Sequence, residues 1–338
     1  MRNMKTIKGQ KGFTLAELVI VMIVIGIMSP ALYSYFAAAN AKSEQVYQLN
    51  VMSENLTIAQ ALRAFAGQEN NGLLPAPYTG GGYQNAPVDV ANATLTEYLS
   101  RGNIGSDRFN DDGSTNQNVR YLELLNPKPT YQMPIVGNAA ETVALVYDRG
   151  VLYQTACGLS DVCNDGTPGT SAAYAAVGWE VTGTDVAPVQ ISTLDIQQGL
   201  WRETWLRLSE VRTKIRNAFN AQVAASAAGD PTNFFFRPDL GTSPDLSGAD
   251  PATNQGCRDG WYQLNSNDVN VLQFYGLEPV SIYAETSWGG RVEYCPDYDP
   301  NDGGVDALPH IGAIRINRQV TTGNAPGGAI AGNLILVI

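Results

Sequence analysis

Residues 11–26 read KGFTLAELVIVMIVIG, and the apolar run that opens at Phe13 continues through MSPALYSYFAAAN to residue 40 with Glu17 as its only formal charge. About 20 apolar residues carry a helix across the hydrocarbon layer, so residues 13–40 are long enough to span a bilayer. The twelve residues before them, MRNMKTIKGQKG, hold Arg2, Lys5, Lys8 and Lys11 and no acid. The positive-inside rule keeps such a leader on the cytoplasmic side. A carboxylate within the apolar segment is costly and demands a partner. Two plainer readings suit the residues less well: a cleaved secretory peptide has a shorter apolar core ending at small residues, and a simple anchor gains nothing from Glu17.

Taken together, the basic leader, the Gly12–Phe13 junction, Thr14-Leu15 and Glu17 resemble the prepilin leader of type IV pilins and type II secretion pseudopilins. The resemblance implies that a prepilin peptidase cuts between Gly12 and Phe13 and methylates the new amino terminus, leaving Phe13 as the first mature residue and Glu17 as the fifth. It implies an inner-membrane prepilin that joins other pilin subunits, through pilus or type II secretion assembly machinery, in an extracellular or periplasmic filament. In that filament the Glu17 carboxylate can meet the Phe13 ammonium of a neighbouring subunit. The pair would satisfy a buried charge and set axial register, since a subunit out of step strands the carboxylate. A carboxylate snorkelling at the membrane surface without a partner is the alternative.

Gly26 and Pro30 interrupt the apolar stretch. Proline removes a backbone donor and crowds the preceding turn, so a kink or melted turn is expected there. In the family this region can unwind as the subunit leaves the bilayer; a static kink is the other reading. Beyond it, Val46, Leu49, Met52, Leu56, Ala59, Leu62 and Phe65 recur every three or four residues, with Gly67 as the expected stop. One helix over residues 13–66 follows, its first half a stem and its second half an apolar stripe against which a sheet packs. The stretch AQALRAFAGQENNGLLPAP resembles the helix end and Asn-Gly turn of many pilin heads.

Thr142 to Tyr147 and Val151 to Thr155 read as a hairpin around Asp148-Arg149-Gly150, and residues 172–183 as a further strand. Residues 194–229 then form a second helical pattern, with Trp201, Trp205, Leu208, Ile215, Phe219 and Val223 along one side. Strand candidates follow at Gly290–Cys295, Ile311–Asn317 and Leu334–Ile338. The fold class is α+β: a long N-terminal helix with an antiparallel-sheet head, then a second helix-plus-sheet, pilin-like head. The expected organisation is a leader peptide over residues 1–12, a membrane and filament-core helix over 13–40, a first head over 41–190 and a second over 191–338. A single head with a large insertion is the alternative.

The 338 residues carry 21 basic and 32 acidic side chains, a formal charge of −11. Without the leader the balance is 17 basic against 32 acidic, or −15, which repels phosphate backbones and makes nucleic acid a disfavoured partner. The second helix is an exception, with Arg202, Arg207, Arg212, Lys214 and Arg216 against Glu203 and Glu210. Anionic lipid or nucleic-acid contact is one reading of it, and a solvated face is the favoured one.

Cys157, Cys163, Cys257 and Cys295 make an even count in a chain whose bulk lies outside the cytoplasm, where disulfides form. Order suggests Cys157 with Cys163 and Cys257 with Cys295, although four cysteines allow three pairings. Zinc is a poor alternative, because no CxxC spacing occurs and His310 is the only histidine. In CPDYDPNDGGVDALPH, residues 295–310, Asp297, Asp299, Asn301 and Asp302 precede a Gly-Gly pair. Oxygens at alternate positions suit Ca²⁺, and an acidic solvated turn is the plainer reading. No nucleophile elbow, P-loop, HExxH or dinucleotide fingerprint occurs. The expected function is therefore assembly rather than catalysis: a pilin-like subunit that needs no cofactor, whose large head suits a minor or tip-associated, adhesive role. A major pilin, a secretion pseudopilin, and a tethered extracellular binding protein or enzyme are the alternatives.

Overall fold

The first helix continues past its expected stop. In the computed structural model α1 spans Leu15–Glu69, running through Gly26, Pro30 and Gly67 without a break. The structure describes residues 14–75, 93–104, 119–125, 131–135, 138–154, 167–168, 181–182, 186–237, 255–257, 260–264, 271–278, 280–299, 310–318, 323–326 and 332–338. What ends α1 is the turn Asn70-Asn71-Gly72. Asn71 (φ 52°) and Gly72 (φ 77°) lie in the left-handed region, and the Gly72 amide donates to the Ala66 carbonyl at 2.7 Å. A Cβ on Gly72 would stand 2.5 Å from the Gln197 side chain, so the turn needs glycine for space as well as backbone angle. Gly67 instead lies beside Ile196, where even a Cβ would make ordinary contact.

Two compact units divide the chain, Met1–Glu54 and Asn55–Ile338. Within the second, the buried positions of α1 are Asn55, Ile58, Ala59, Ala61, Leu62, Phe65 and Ala66. The expected stripe is thus right at Ala59, Leu62 and Phe65, while Leu56 is exposed. Asn55, a polar residue, takes one of these core positions. In the first unit Val46, Leu49 and Met52, assigned to the same stripe, are exposed too.

After α1 come α2 (Ala93–Arg101) and strands β1 (Val119–Leu125), β2 (Tyr131–Ile135), β3 (Asn138–Leu145) and β4 (Asp148–Gln154). The short β5 (Thr167–Pro168) and β6 (Val181–Thr182) pair only with each other, and β7 (Val189–Ser192) leads into α3 (Leu194–Ala225). The last part adds β8 (Tyr262–Gln263), the single turns α4 (Val271–Phe274) and α5 (Val280–Tyr283), then β9 (Glu293–Cys295), β10 (Ala313–Asn317) and β11 (Asn333–Val337). Antiparallel pairing gives a three-stranded sheet in the order β1-β4-β7 and a four-stranded sheet in the order β11-β10-β9-β8. Long helix, sheet, second helix and second sheet follow in the α+β order read from sequence.

The hairpin around Asp148-Arg149-Gly150 is a misreading. Strand β3 pairs with β2, whereas β4 begins at Asp148 and pairs with β1 and β7, Gly150 standing opposite Glu123 and Ile191. The cause is that the two apolar runs serve different cores. Val143 and Leu145 join Trp201, Leu208, Val211, Ile215, Tyr294 and Ile314, whereas Leu152 joins Ile58, Leu62, Phe65, Val189 and Ile191. Each fully buried aliphatic or aromatic side chain contributes about 1.5–3 kcal/mol, enough to override local turn preference. Helix α3 bridges the two clusters: Trp201 and Leu208 lie in the first, while Ile196 packs on the second. The core of the last sheet therefore includes residues from β3, well before the expected second head.

A buried carboxylate joins these parts. Asp148, 1% exposed, accepts the Leu74 amide through Oδ2 at 2.7 Å, and its own amide donates to Thr193 Oγ1 at 2.9 Å. Its Oδ1 is buried with no hydrogen-bond partner. Burial raises its pKa to about 7, against a smaller lowering by the Leu74 amide. A folded pKa raised above the unfolded 3.8 means stability is fully present below the unfolded value and is lost as pH rises through the folded one. The loss between pH 5 and pH 8 is about 2–3 kcal/mol. Thermal unfolding of Asp148→Asn beside the native protein tests this: the variant should gain relative stability from pH 5 to pH 8, and a constant difference would refute it.

Candidate functional site

The candidate site begins at Thr14, the first of the described residues. The Glu17 carboxylate accepts both the Thr14 amide and the Thr14 hydroxyl, each at 2.9 Å, and the Glu17 amide donates to Thr14 Oγ1 at 3.4 Å. This reciprocal capping box satisfies donors that the first turn of a helix leaves open. The signal was present in the sequence as Thr-x-x-Glu before an apolar run, but a reading fixed on membrane charge passes over it. Glu17 is thus satisfied within its own chain, with its carboxylate held at the first turn of α1. Gly12 and Phe13 lie outside the described residues.

The rest of the segment is bare. Leu15, Ile20, Met22 and Ile27 are exposed by 60–84%, and Val24, Leu32 and Phe36 are exposed too. Among the described residues α1 is the one helix long and apolar enough to cross a membrane, and none of its most apolar stretch is buried within the chain. Contiguous apolar surface of this extent marks a membrane or protein contact. Helicity persists at Pro30, and the Ser29 hydroxyl gives the Ile25 carbonyl a donor at 2.6 Å one turn back.

The remaining candidates lie in the last sheet. Cys257 and Cys295 form a disulfide that closes a 38-residue separation, for which chain-entropy estimates give about 4 kcal/mol. Cys157 and Cys163 lie outside the described residues. Beside the bridge Gly256 (φ 85°) permits a close backbone approach, since a Cβ there would meet the Asp299 carbonyl at 2.6 Å. Of the four expected calcium ligands, Asn301 and Asp302 lie outside the described residues. Asp297 is nearly buried and faces the Arg237 guanidinium, with Nη2 at 3.3 Å, and the His310 ring, with Nδ1 at 3.6 Å. Arg237 and His310 in turn pack on the ring of Phe234. The backbone amide of Asp299 donates to the Gly256 carbonyl. Among the described residues no three His, Cys, Asp or Glu side chains converge as a metal site.

Beside the disulfide lies a buried ion cluster that sequence reading did not find. Arg315 donates to Glu293 Oε2 at 2.6 Å and to Gln255 Oε1 at 3.0 Å, and lies over the Trp261 ring. Arg291 pairs with the other Glu293 oxygen. Burial raises the Glu293 pKa, opposed by Arg315 and then Arg291; burial likewise lowers that of Arg315, opposed by Glu293. Alternation across strands placed Arg315 on β10 but gave no sign that it would point inward.

The start of the chain carries a recognised motif. Residues 7–29 match the family model of the prokaryotic N-terminal methylation motif. The chain therefore carries the prepilin leader signature of type IV pilins and pseudopilins, and with it the N-terminal helix of a membrane-anchored prepilin. No curated protein and no solved structure matches the chain.

Proposed function

We propose that this chain is a type IV pilin-like structural subunit, cut by prepilin peptidase after Gly12 and assembled through α1 into an extracellular or periplasmic filament. The observation that carries the reading is the exposed apolar surface of α1 with Glu17 as the lone acid at its start. That surface is stable in lipid or against the stems of other subunits, and not in water. On assembly the Glu17 carboxylate exchanges its Thr14 partners for the Phe13 ammonium of an adjoining stem. The head, from Asn55 onward, is large for a subunit whose only duty is to build a thin fibre, which favours a minor or tip-associated subunit with an adhesive or assembly role. This function requires neither catalysis nor a cofactor.

Mass spectrometry of fibres sheared from the cell surface tests the proposal. The expected result is a peptide that begins at N-methylated Phe13, at an abundance below that of the main fibre subunit. Recovery of the chain only from membranes, with residues 1–12 still attached, would refute it.

A further inference from the structure

Two rows of polar residues recur at four-residue intervals along one flank of α3: Ser209, Thr213 and Asn217, and beside them Glu210 and Lys214. They line a groove of about 590 Å³, to which Tyr275, the residue after α4, also contributes. That volume lies within the ~300–1,000 Å³ of small-ligand sites. The Thr213 hydroxyl donates to the Ser209 carbonyl at 2.7 Å, which leaves its lone pairs open to an incoming donor. Glu210 accepts the Tyr283 hydroxyl through Oε2 at 3.0 Å and keeps Oε1 open. Lys214 and Asn217 are exposed, and neither side chain has a partner among the described residues. Tyr275 is buried and its hydroxyl accepts the Phe236 amide at 3.2 Å, so its polar end is already engaged. Next to it Phe274 is 59% exposed, yet its ring is fixed. It stacks on Phe236 with centroids 3.8 Å apart and planes within 12°, and the Tyr275 ring stands nearly perpendicular to it at 5.0 Å. One face of Phe274 is therefore covered, and the other is a flat apolar platform open to solvent. A single exposed aromatic is common, but one held rigid beside a polar groove is prepared for stacking.

We infer that this groove and the Phe274 platform bind a neutral oligosaccharide. Charge, hydrogen-bonding capacity and shape choose that ligand together. Glu210 and Lys214 are the formal charges of the lining and offset each other, so the groove attracts neither an anion nor a cation over long range. The Lys214 ammonium and the Asn217 amide donate, while the Glu210 carboxylate, the Asn217 carbonyl and the Thr213 hydroxyl accept. A sugar hydroxyl donates and accepts at once, and a row of them satisfies this mixed set. An apolar ligand would strip water from the same groups and return no hydrogen bond, at a cost for each. Phe274 matches what remains of a sugar: the C–H face of a pyranose ring packs flat on an aromatic ring through dispersion and weak C–H contacts. Such a ligand rests on the adhesive role proposed above, since only a head that faces outside meets surface sugars, and it gives that role its chemistry.

The test applies the full mature chain, in a polyoxyethylene detergent whose head group is not a sugar, to a printed panel of neutral, sialylated and sulfated oligosaccharides. The native chain should be retained on neutral members of the panel, equally at ~0.05 and ~0.5 M salt, because no ion pair forms with the ligand. Phe274→Ala and Asn217→Ala should each weaken that retention about tenfold, the loss expected of one stacking or hydrogen-bonding contact. Both positions are exposed, and thermal unfolding should show both variants folded. Arg202→Ala, also exposed but about three turns of α3 from Lys214, should change retention less than about twofold. Retention on no neutral oligosaccharide, retention confined to sialylated or sulfated members, or an equal response of all three variants would overturn the inference. Failure on the panel with N-methylated Phe13 present in fibres would overturn the ligand alone, whereas retention of a chain that never enters fibres would overturn assembly alone.

Discussion

Replacing Glu17 with leucine is expected to lower recovery of the subunit in sheared fibres at least tenfold while its amount in the membrane stays the same or rises. Removing a carboxylate from the apolar segment makes insertion easier, by less than the ~2.5–3.5 kcal/mol that a charge costs at the helix centre, so a loss of fibre cannot be ascribed to failed insertion. Two roles of Glu17 must then be separated. As the distal partner of the capping box it completes the first turn of α1 with Thr14, and losing a cap costs about 1 kcal/mol of helix stability. As a charge it can meet an ammonium from another stem, an interaction that exists only in the assembled state. Glu17→Gln separates them, because glutamine keeps the cap and abolishes the charge. Quantitative immunoblotting of fibre and membrane fractions should show the Gln variant as deficient as the Leu variant. Recovery of fibres by Gln would assign the effect to the cap, and normal fibres with Leu would leave α1 a mere tether.

The same contrast explains how much of the molecule was readable in advance. Residues 11–26 carried the leader, the stem and Glu17, because a 28-residue apolar run broken by one acid has few physical interpretations. Strands β9 to β11 were legible to within three residues, and helix α3 to within four, from apolar spacing alone. What failed was partner choice. The apolar residues on either side of Asp148 look like two arms of one hairpin, yet β3 and β4 face different cores, and only long-range packing decides that. Asn55 on α1 and Asp148, Gln197 and Thr204 around α3 were invisible as core residues because pattern reading assigns polar types to solvent. Each of the last three holds its place through specific bonds: the Leu74 amide donates to Asp148, Gln197 donates to the Asn71 carbonyl and accepts from the Trp288 indole, and the Ser287 amide donates to Thr204. The capping box was readable and missed, whereas the Arg315 cluster offered no local signal.

That cluster gives the largest expected effect on the stability of the head. Arg315→Met should destabilise it by about 3–5 kcal/mol, because it leaves Glu293 buried against a single, partly exposed Arg291. The damage extends to Gln255, whose backbone sits at φ 48° and whose Oε1 accepts from both Arg315 and Asn333. A non-glycine residue held in the left-handed region depends on such ties. Two comparisons identify the cause. Burial already raises the Glu293 pKa, and removing Arg315 takes away the stronger of the opposing cations, so the folded variant binds a proton more tightly than its unfolded chain. Its deficit should therefore shrink as pH falls from 8 to 5, opposite in sign to acid unfolding caused by losing a salt bridge. Pairing the change with Glu293→Leu should recover a large part of the loss, since an apolar pair of similar volume carries no desolvation penalty. Thermal unfolding of the two variants beside the native protein by near-ultraviolet circular dichroism reads both effects. If the double variant were as unstable as the single one and the deficit did not change with pH, the loss would lie in the packing of Arg315 on Trp261 rather than in the stranded charge.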